Sequence, residues 1–266
     1  MYNILHRHQK PWPSEFIDHS HPLAKGLVGA WLMNVGAGNK VYDSSININD
    51  GTFINNPTWI PEGVLFDGSM EHIAACNGSV IEQQGTIAFS YCQTVIPASF
   101  YYWFTLDDDF NEFSMLMAIN DTNLDFNING NAGRMASPGT KLTDGKLHHI
   151  VLTWDVSTNF REYWVDGLFF FAPGTALTWD SVGMAAHTLR IGGRQTGADR
   201  YAGGYMGYFY LYNKSLTPTE IKSLYIDPYQ MWPDPMLWMA GAAVAPVGNA
   251  PGVLYGPLVG SLGGPV

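Results

Sequence analysis

Two alternating segments in mid-chain constrain the fold more than any other feature. Residues 148–155 read His-His-Ile-Val-Leu-Thr-Trp-Asp, and after a polar turn at 157–159 residues 161–165 read Arg-Glu-Tyr-Trp-Val. Alternation of apolar and polar residues is typical of strands that are buried on one face. The step Asp166-Gly167 that follows supplies the left-handed backbone of a tight hairpin turn. The segment therefore predicts antiparallel strands joined by short turns.

The composition is that of one large all-β domain. Of the 266 residues, 46% are hydrophobic and only 14% are charged, and the chain holds 29 glycines and 16 prolines. This content can fill one large core, and many turn residues between short alternating runs are typical of antiparallel architectures. The low charged fraction fits either a surface that is buried against partners or a surface of Asn, Thr, Ser and Gln.

The charge argues against two classes of partner. The 13 Lys and Arg against 23 Asp and Glu give a formal net charge of −10, and no basic cluster offsets repulsion from phosphate backbones. Nucleic acid is therefore not expected as a partner. Membrane insertion is not expected either, because no apolar run is long enough to span a bilayer. The first eight residues lack the apolar stretch of a secretion signal.

Both ends of the chain differ from the middle in composition and lack its alternating pattern. Residues 1–25 hold four histidines and three prolines, and the pairs His6-x-His8 and His19-x-His21 fit either metal binding at an oligomer axis or a polar surface. From residue 227 the chain is rich in Pro, Gly and Ala. Because an apolar tail needs a surface to lie on, both arms are expected to mediate assembly rather than close the core. The aromatic residues assigned to assembly are Trp12, Trp232 and Trp238.

One helix is predicted near the end of the patterned region. Thr217 is a suitable N-cap, Pro218 suits the first helical position, and Glu220 completes a capping box. The helix should extend to about Tyr225.

Cysteine and histidine usage predicts neither a disulfide framework nor a zinc site in the middle of the chain. Cys76 and Cys92 are expected to be buried free thiols. Of the pair His148 and His149, one ring is expected to face the core and to hydrogen-bond to the backbone, because no zinc-ligand spacing lies beside the pair.

Several segments, in order, resemble laminin-G-like and pentraxin-like jelly rolls of the concanavalin A-like superfamily. Besides the central hairpin, they lie at residues 26–31, 41–52, 66–69, 189–193 and 207–216. The resemblance implies an all-β antiparallel sandwich, a jelly roll with one short C-terminal helix and extended terminal arms. The implied organisation is an N-terminal arm (1–25), a jelly-roll domain (26–226) and an apolar C-terminal arm (227–266).

The pentraxin resemblance also implies a calcium site at the loop rim. Its candidate ligands are Asp109, Asn111, Gln195 and Asp199. Calcium needs several oxygen ligands, and Arg194 stands where the cation should lie, so the expected cofactor is either none or weakly bound Ca²⁺. Pentraxins also join two strands through a disulfide, and the resemblance implies Val151 at the position opposite Cys92.

Aromatic residues are further candidates for binding. Residues 100–104 read Phe-Tyr-Tyr-Trp-Phe, and alternate rings on a strand point to opposite faces. One set enters the core, while the other is exposed or covered, and exposed rings stack on sugars or become buried in an oligomer. The candidates for glycan or partner binding are Tyr102, Trp103 and Tyr208.

An acidic triplet is the candidate for catalysis. Asp107, Asp109 and Glu112 form Asp-x-Asp-x-x-Glu, and glucanases of this superfamily use a similar Glu-x-Asp-x-x-Glu as nucleophile and acid/base. Here the first position is a shorter Asp, and the triplet has the composition of a solvated turn. No other nucleophile–base motif occurs. The expected protein is not an enzyme and has no catalytic residues.

The chain combines a recognition-type fold with apolar arms and lacks a secretion signal and a disulfide. This combination predicts a virion structural protein that is made in the host cytoplasm. Residues 225–232 resemble the end of such domains in phage proteins, which implies a capsid decoration, fibre or appendage. The expected partners are copies of itself, other virion proteins and cell-surface glycans. One alternative is a bacterial glycan-binding or adhesion module at the cell surface or outside the cell. The third reading is a glucan hydrolase.

Overall fold

Antiparallel strands form the body of the protein, as the alternating pattern predicts. A computed structural model describes residues 10–13, 15–95, 101–106, 115–119, 123–128, 131–136, 142–171, 177–179, 185, 187–194 and 200–233. In chain order, its strands are β1 (Leu27–Trp31), β2 (Lys40–Val41), β3 (Gly51–Ile54), β4 (Thr58–Ile60), β5 (Gly63–Asp67), β6 (His72–Asn77), β7 (Gln84–Gln93), β8 (Tyr101–Thr105), β9 (Met115–Ile119), β10 (Asn123–Ile128), β11 (Asn131–Ala136), β12 (Leu147–Asp155), β13 (Phe160–Val165), β14 (Leu168–Phe171), β15 (Thr188–Ile191) and β16 (Gly203–Tyr212). The helix α1 (Pro218–Ile226) follows β16, and 3-10 turns lie at Pro22–Ala24 and Gly78–Val80.

These strands form two sheets. The first sheet has the order β14-β13-β12-β7-β16-β5-β4, with β1 also paired to β16. The second sheet has the order β11-β10-β9-β8-β15-β6-β3-β2. The pairs between these strands are antiparallel. The predicted all-β antiparallel sandwich with one short helix is therefore confirmed.

The central hairpin forms as the sequence predicts. Strand β12 pairs with β13, and β13 turns into β14 at Asp166 and Gly167. These two residues have φ angles of 50° and 73°, which are the left-handed values that a tight two-residue turn requires. Alternation along β12 sends Ile150, Leu152 and Trp154 into the core between the sheets.

The main core lies between the two sheets and is built around aromatic rings. Phe89 of β7 lies 5.7 Å from Phe209 of β16, measured between ring centroids, and Phe104 of β8 lies 5.6 Å from Phe209. All three rings are fully buried. Burying each such side chain contributes about 1.5–3 kcal/mol, so this cluster joins the two sheets.

The central strands of the first sheet are also buried on their outer face. Tyr208, Tyr210 and Tyr212 alternate along β16 and form a second hydrophobic cluster with Ala88 and Val151. The cover comes from α1 and from chain segments on either side of the jelly roll, through Ile17, Leu23, Ala24, Ile221, Leu224, Tyr229, Met231 and Trp232. The backbone N–H of Asp18 donates to the carbonyl of Met231 at 2.8 Å and ties the two segments together.

This second cluster corrects the prediction that the arms leave the core untouched. Residues 17–24 and 229–232 close the outer face of their own domain, because an apolar row on a sheet needs cover and the chain ends supply it. Trp232 is 2% exposed and Trp12 is 70% exposed, so the two assigned tryptophans have opposite environments. Trp238 lies outside the described residues.

Helix α1 begins as predicted. The Thr217 hydroxyl accepts the Glu220 N–H at 3.3 Å, and the Glu220 carboxylate accepts the Thr217 N–H at 2.8 Å, which confirms the capping box. Among the described residues, none of the helices combines the length and the apolar character needed to cross a membrane.

Cys76 and Cys92 are both free and buried, as expected. The residue opposite Cys92 on β12 is Leu147, and Val151 lies opposite Ala88, so the position implied by the pentraxin resemblance is wrong. The core sets this register, because it places Phe89 opposite Ile150.

Two truncations test whether residues 230–233 belong to the core. Deletion of 234–266 leaves the compact unit that ends at Pro233, and we expect its melting temperature to stay unchanged. Deletion of 230–266 also removes Met231 and Trp232, which are buried in the second cluster. Loss of these side chains should cost roughly 3–5 kcal/mol, measured by urea unfolding.

The shorter deletion is the matched control, and light scattering on both chains reports assembly. If deletion of 234–266 lowers the number of chains per particle without lowering the melting temperature, that result would support an assembly role for the end that carries Trp238. Equal destabilisation by both deletions would show that residues 230–233 are not the ones that stabilise the fold.

Candidate functional site

A polar pocket opens at one end of the sandwich, where β7 begins and β12 ends. Its volume is about 490 Å³, which is within the range of small-molecule sites. Gln84 and Asp155 are register partners at the ends of these two strands. The described residues that line the pocket are Ser79, Ile81, Glu82, Gln83, Gln84, Asp155, Ser157 and Trp179.

The backbone on the β6–β7 side of the pocket is held in place. The side chain of Asn77 caps the 3-10 turn by accepting the Ser79 N–H at 2.8 Å. The indole N–H of Trp154 donates to the Glu82 carbonyl at 3.1 Å, and the Val156 N–H donates to the Gln83 carbonyl at 2.8 Å. The main-chain carbonyls of Glu82 and Gln83 therefore bond to the end of β12 and to the residue after it. The side chains of residues 82–84 are exposed.

An Asx turn shapes the opposite wall. One carboxylate oxygen of Asp155 accepts the Ser157 N–H at 2.9 Å and the Ser157 hydroxyl at 2.6 Å, as Asp commonly does in turns. The hydroxyl bond is the largest cause that lowers the pKa of Asp155 below its usual value. The pocket therefore presents an ionised carboxylate at neutral pH.

Trp179 supplies the aromatic part of the lining. Its indole is partly buried and packs against the main core. The side chain of Asn159 accepts the Leu177 N–H at 2.6 Å, which ties the segment before Trp179 to the β12–β13 turn. A fixed aromatic ring beside amides, hydroxyls and carboxylates can contact the apolar C–H surface and the hydroxyl groups of a sugar together.

The three rings predicted to bind glycans or partners lie inside the chain. Trp103 packs against Phe89 and Tyr91 with centroid distances of 5.5 and 5.3 Å. Tyr208 stacks on Tyr210 at 4.6 Å, and Tyr102 is buried too. This corrects the expectation that these rings face a ligand, because the same chain buries all three, with Trp103 between the sheets and Tyr208 in the second cluster.

The calcium candidates lie outside the described residues. These are Asp109, Asn111, Gln195 and Asp199, and the acidic triplet completed by Asp107 and Glu112 lies outside them as well. In the part of the chain that the structure describes, no group of three or more His, Cys, Asp or Glu side chains could hold a metal ion. His21 instead caps a 3-10 turn by accepting the Leu23 N–H at 3.2 Å.

His148 and His149 have different surroundings, because neighbours on a strand point to opposite faces. His148 lies between two carboxylates, with Nδ1 2.8 Å from Asp166 and Nε2 3.1 Å from Asp144. His149 lies between the rings of Tyr208 and Tyr225, and neither of its ring nitrogens has a hydrogen-bond partner among the described residues. The expected bond from one of these rings to the backbone is therefore wrong.

The pocket residues were not predicted from the sequence. The run Glu82-Gln83-Gln84 before a buried strand is a polar signal, and so is Asp155 two residues before Ser157. Only the pairing of β7 with β12 unites the two runs, which lie about 70 residues apart.

Comparison with known proteins agrees with this architecture. A laminin G family model, described as the concanavalin A-like lectin/glucanases superfamily, matches residues 67–222, which is more than half of the chain. The resemblance drawn from the sequence is thereby confirmed at the level of the superfamily. A search of curated proteins found no match to the chain.

Solved structures share the fold at low identity. A Trypanosoma rangeli sialidase mutant that displays trans-sialidase activity matches with a TM-score of 0.63 and 18% identity, over 83% of this chain and 37% of its own. The same organism's sialidase in complex with sialic acid matches with a TM-score of 0.60 and 17% identity, over 79% of this chain and 34% of its own. The botulinum neurotoxin serotype D binding domain matches with a TM-score of 0.57 and 12% identity, over 77% of this chain and 52% of its own. The chain thus spans about a third of the sialidases and about half of the toxin chain.

The buried imidazole of His149 predicts a loss of stability in acid. Burial lowers the pKa of His149 to about 4, against an ordinary value of about 6.5 in an unfolded chain. Between these values the unfolded chain binds a proton that the folded chain does not, so stability falls as the pH falls from about 6.5 to about 4. The nearby carboxylate of Asp166 opposes the shift. His149→Phe, which keeps a ring between the two tyrosines, should remove this component.

Urea unfolding between pH 4 and pH 7 measures the effect. We expect the stability of His149→Phe relative to the parent to rise by on the order of 2–4 kcal/mol as the pH falls across this range. His19→Phe, which replaces an exposed histidine, should follow the parent. Parallel curves for His149→Phe and the parent would contradict this account of His149.

Proposed function

Since the chain belongs to the concanavalin A-like lectin/glucanases superfamily, we propose that it is a non-enzymatic glycan-binding domain. Its binding site is the pocket between the start of β7 and the end of β12. One observation carries this proposal, namely that Trp179 lines a pocket together with carboxylate, amide and hydroxyl side chains. Such a combination is typical of small-molecule sites in which a few polar groups fix the orientation of the ligand.

The covered face of the first sheet supports a site at the end of the sandwich. Helix α1 and the inner parts of both arms occupy the outer face of that sheet. A ligand cannot reach Tyr208 or Tyr210 without displacing this cover. At the start of β7 the side chains of residues 82–84 are exposed in the described part of the chain, and binding residues are commonly found on loops that a rigid scaffold positions.

The carboxylates of the pocket support binding rather than hydrolysis. A glycosidase needs one carboxyl group with a raised pKa, so that it can donate a proton to the leaving group. The pKa of Asp155 is instead lowered by its bonds to Ser157. The Glu82 side chain is exposed and accepts the amide of Asn213 at 3.4 Å. Asp155, whose pKa is lowered, accepts hydrogen bonds at neutral pH and is not the proton donor that the reaction requires.

The finer proposal is a virion role as a capsid decoration, fibre or appendage, with copies of itself and other virion proteins as partners. It rests on the sequence features of residues 225–232 and the apolar arms. Self-association has support from the edge strand β14, where Leu168 and Phe169 are 68% and 52% exposed. Exposed apolar edge strands tend to pair with other chains. A bacterial adhesion module at the cell surface is the alternative setting for the same binding site.

The test of glycan binding is a printed glycan array followed by calorimetry on the glycans that bind. Trp179→Ala should weaken binding at least tenfold, because stacking of a sugar on an indole is lost. Trp12→Ala is the matched control, since Trp12 is exposed and lies outside the pocket lining. A melting curve for each variant separates loss of binding from loss of the fold. Equal binding by Trp179→Ala and the parent would exclude this pocket as the site.

The absence of hydrolysis is tested by incubation with β-glucans, agar and alginate and assay of reducing ends. We expect no turnover, because the pKa of Asp155 is lowered, whereas a general acid needs a raised pKa. Turnover that disappears in Asp107→Asn or Glu112→Gln would identify the acidic triplet as catalytic. Turnover that disappears in Asp155→Asn would assign catalysis to the pocket.

A further inference from the structure

We infer that the pocket binds uncharged sugar residues and rejects glycans that carry a carboxylate or a sulfate beside the bound sugar. The inference rests on the proposed function and names its ligand class. It comes from the charges of the lining and from the hydrogen bonds that hold those charges in place.

The lining contains two acidic side chains and no basic one among the described residues. Glu82 and Asp155 stand on the two walls of the pocket. The pocket therefore offers negative charge without a Lys, Arg or His in the described lining to pair with an anionic ligand.

The cation next to the Glu82 partner Asn213 is engaged elsewhere. Asn213 donates its side-chain amide to Glu82, and Lys214 follows it. The Lys214 ammonium lies 2.7 Å from the Glu220 carboxylate, within the capped first turn of α1. This ion pair leaves the charges of Glu82 and Asp155 without compensation from Lys214.

The same groups favour neutral sugars. Ionised carboxylates accept strong hydrogen bonds from hydroxyl groups, and the amides of Gln83 and Gln84 can both donate and accept. A sugar carboxylate offers no donor in return and is repelled by both acids. Repulsion between exposed charges a few ångströms apart is modest, and the two acids together should weaken binding of an anionic sugar roughly 10–100-fold.

The shared fold does not carry the specificity of its relatives. One similar structure is a Trypanosoma rangeli sialidase in complex with sialic acid, which is an anionic sugar. Specificity depends on the residues of a site and not on the fold. The acidic lining of this chain predicts the opposite preference.

The experiment compares matched glycan pairs on the full chain. The array carries neutral hexose and hexosamine oligosaccharides beside their sialylated, uronic acid and sulfated counterparts, and calorimetry measures the pairs that respond. We expect binding of neutral members and at least tenfold weaker binding of their anionic counterparts. Increased salt should reduce the difference in affinity between neutral and anionic glycans, because salt screens exposed charges.

The double variant Glu82→Gln, Asp155→Asn tests the cause. Asparagine also forms Asx turns, so the wall at Ser157 should persist. The variant should bind anionic glycans more tightly relative to their neutral counterparts. The control is Glu62→Gln, Asp67→Asn, which makes the same charge change outside the pocket, and Asp67 holds Ser69 in the same Asx arrangement. The control should keep the preference of the parent.

The outcomes separate this inference from the proposed function. Tighter binding of anionic glycans that depends on Trp179 would overturn the inference and leave the glycan site intact. A preference for neutral glycans that the double variant does not change, or that the control also loses, would overturn the assignment to Glu82 and Asp155. Absence of glycan binding, or binding that Trp179→Ala does not affect, would overturn both proposals.

Discussion

The burial of both faces of β16 is the constraint on which the rest of the architecture depends. Phe209 and Leu211 point into the core between the sheets, while Tyr208 and Tyr210 point outwards from the same strand. A sheet in a sandwich commonly leaves one face to the solvent, but this outward row is aromatic. This row requires a second apolar layer. Helix α1 and the inner parts of both arms provide it.

This second layer determines where recognition can occur. The outward aromatic row of β16 is covered by α1 and by the inner parts of both arms. At the end of β12, the indole N–H of Trp154 and the main-chain N–H of Val156 donate to the β6–β7 loop and hold its backbone there. Pre-organised side chains lose less conformational freedom on binding. For this reason the proposed site uses Trp179 and not Tyr208, which is buried under the second cluster.

The parts of the fold that follow local rules could be predicted from the sequence. The turn at Asp166 and Gly167 and the capping box of Thr217 depend on neighbours within a few residues, and both form as predicted. The cover over Tyr208, the partner of Cys92 and the pocket at Asp155 depend on which distant segments meet. Alternation shows that a side chain points away from the core, but it cannot show what lies over that side chain. For this reason the inner arms were assigned to assembly and Tyr208 to binding.

The arrangement of the pocket also explains how a shared scaffold can serve different ligands. The Glu82 and Gln83 carbonyls accept hydrogen bonds from β12 and the residue after it, and these bonds do not depend on the side chains at 82 and 83. Substitution there changes the charge presented to a ligand without removing a contact that holds the loop. Structures of this fold with 12–18% identity to the chain can therefore retain the sandwich and differ in what their loops bind. In this chain the loop presents Glu82 and the Asx turn presents Asp155, and under the proposed function the charges of that pair, not the ancestry of the fold, would decide which sugars can enter.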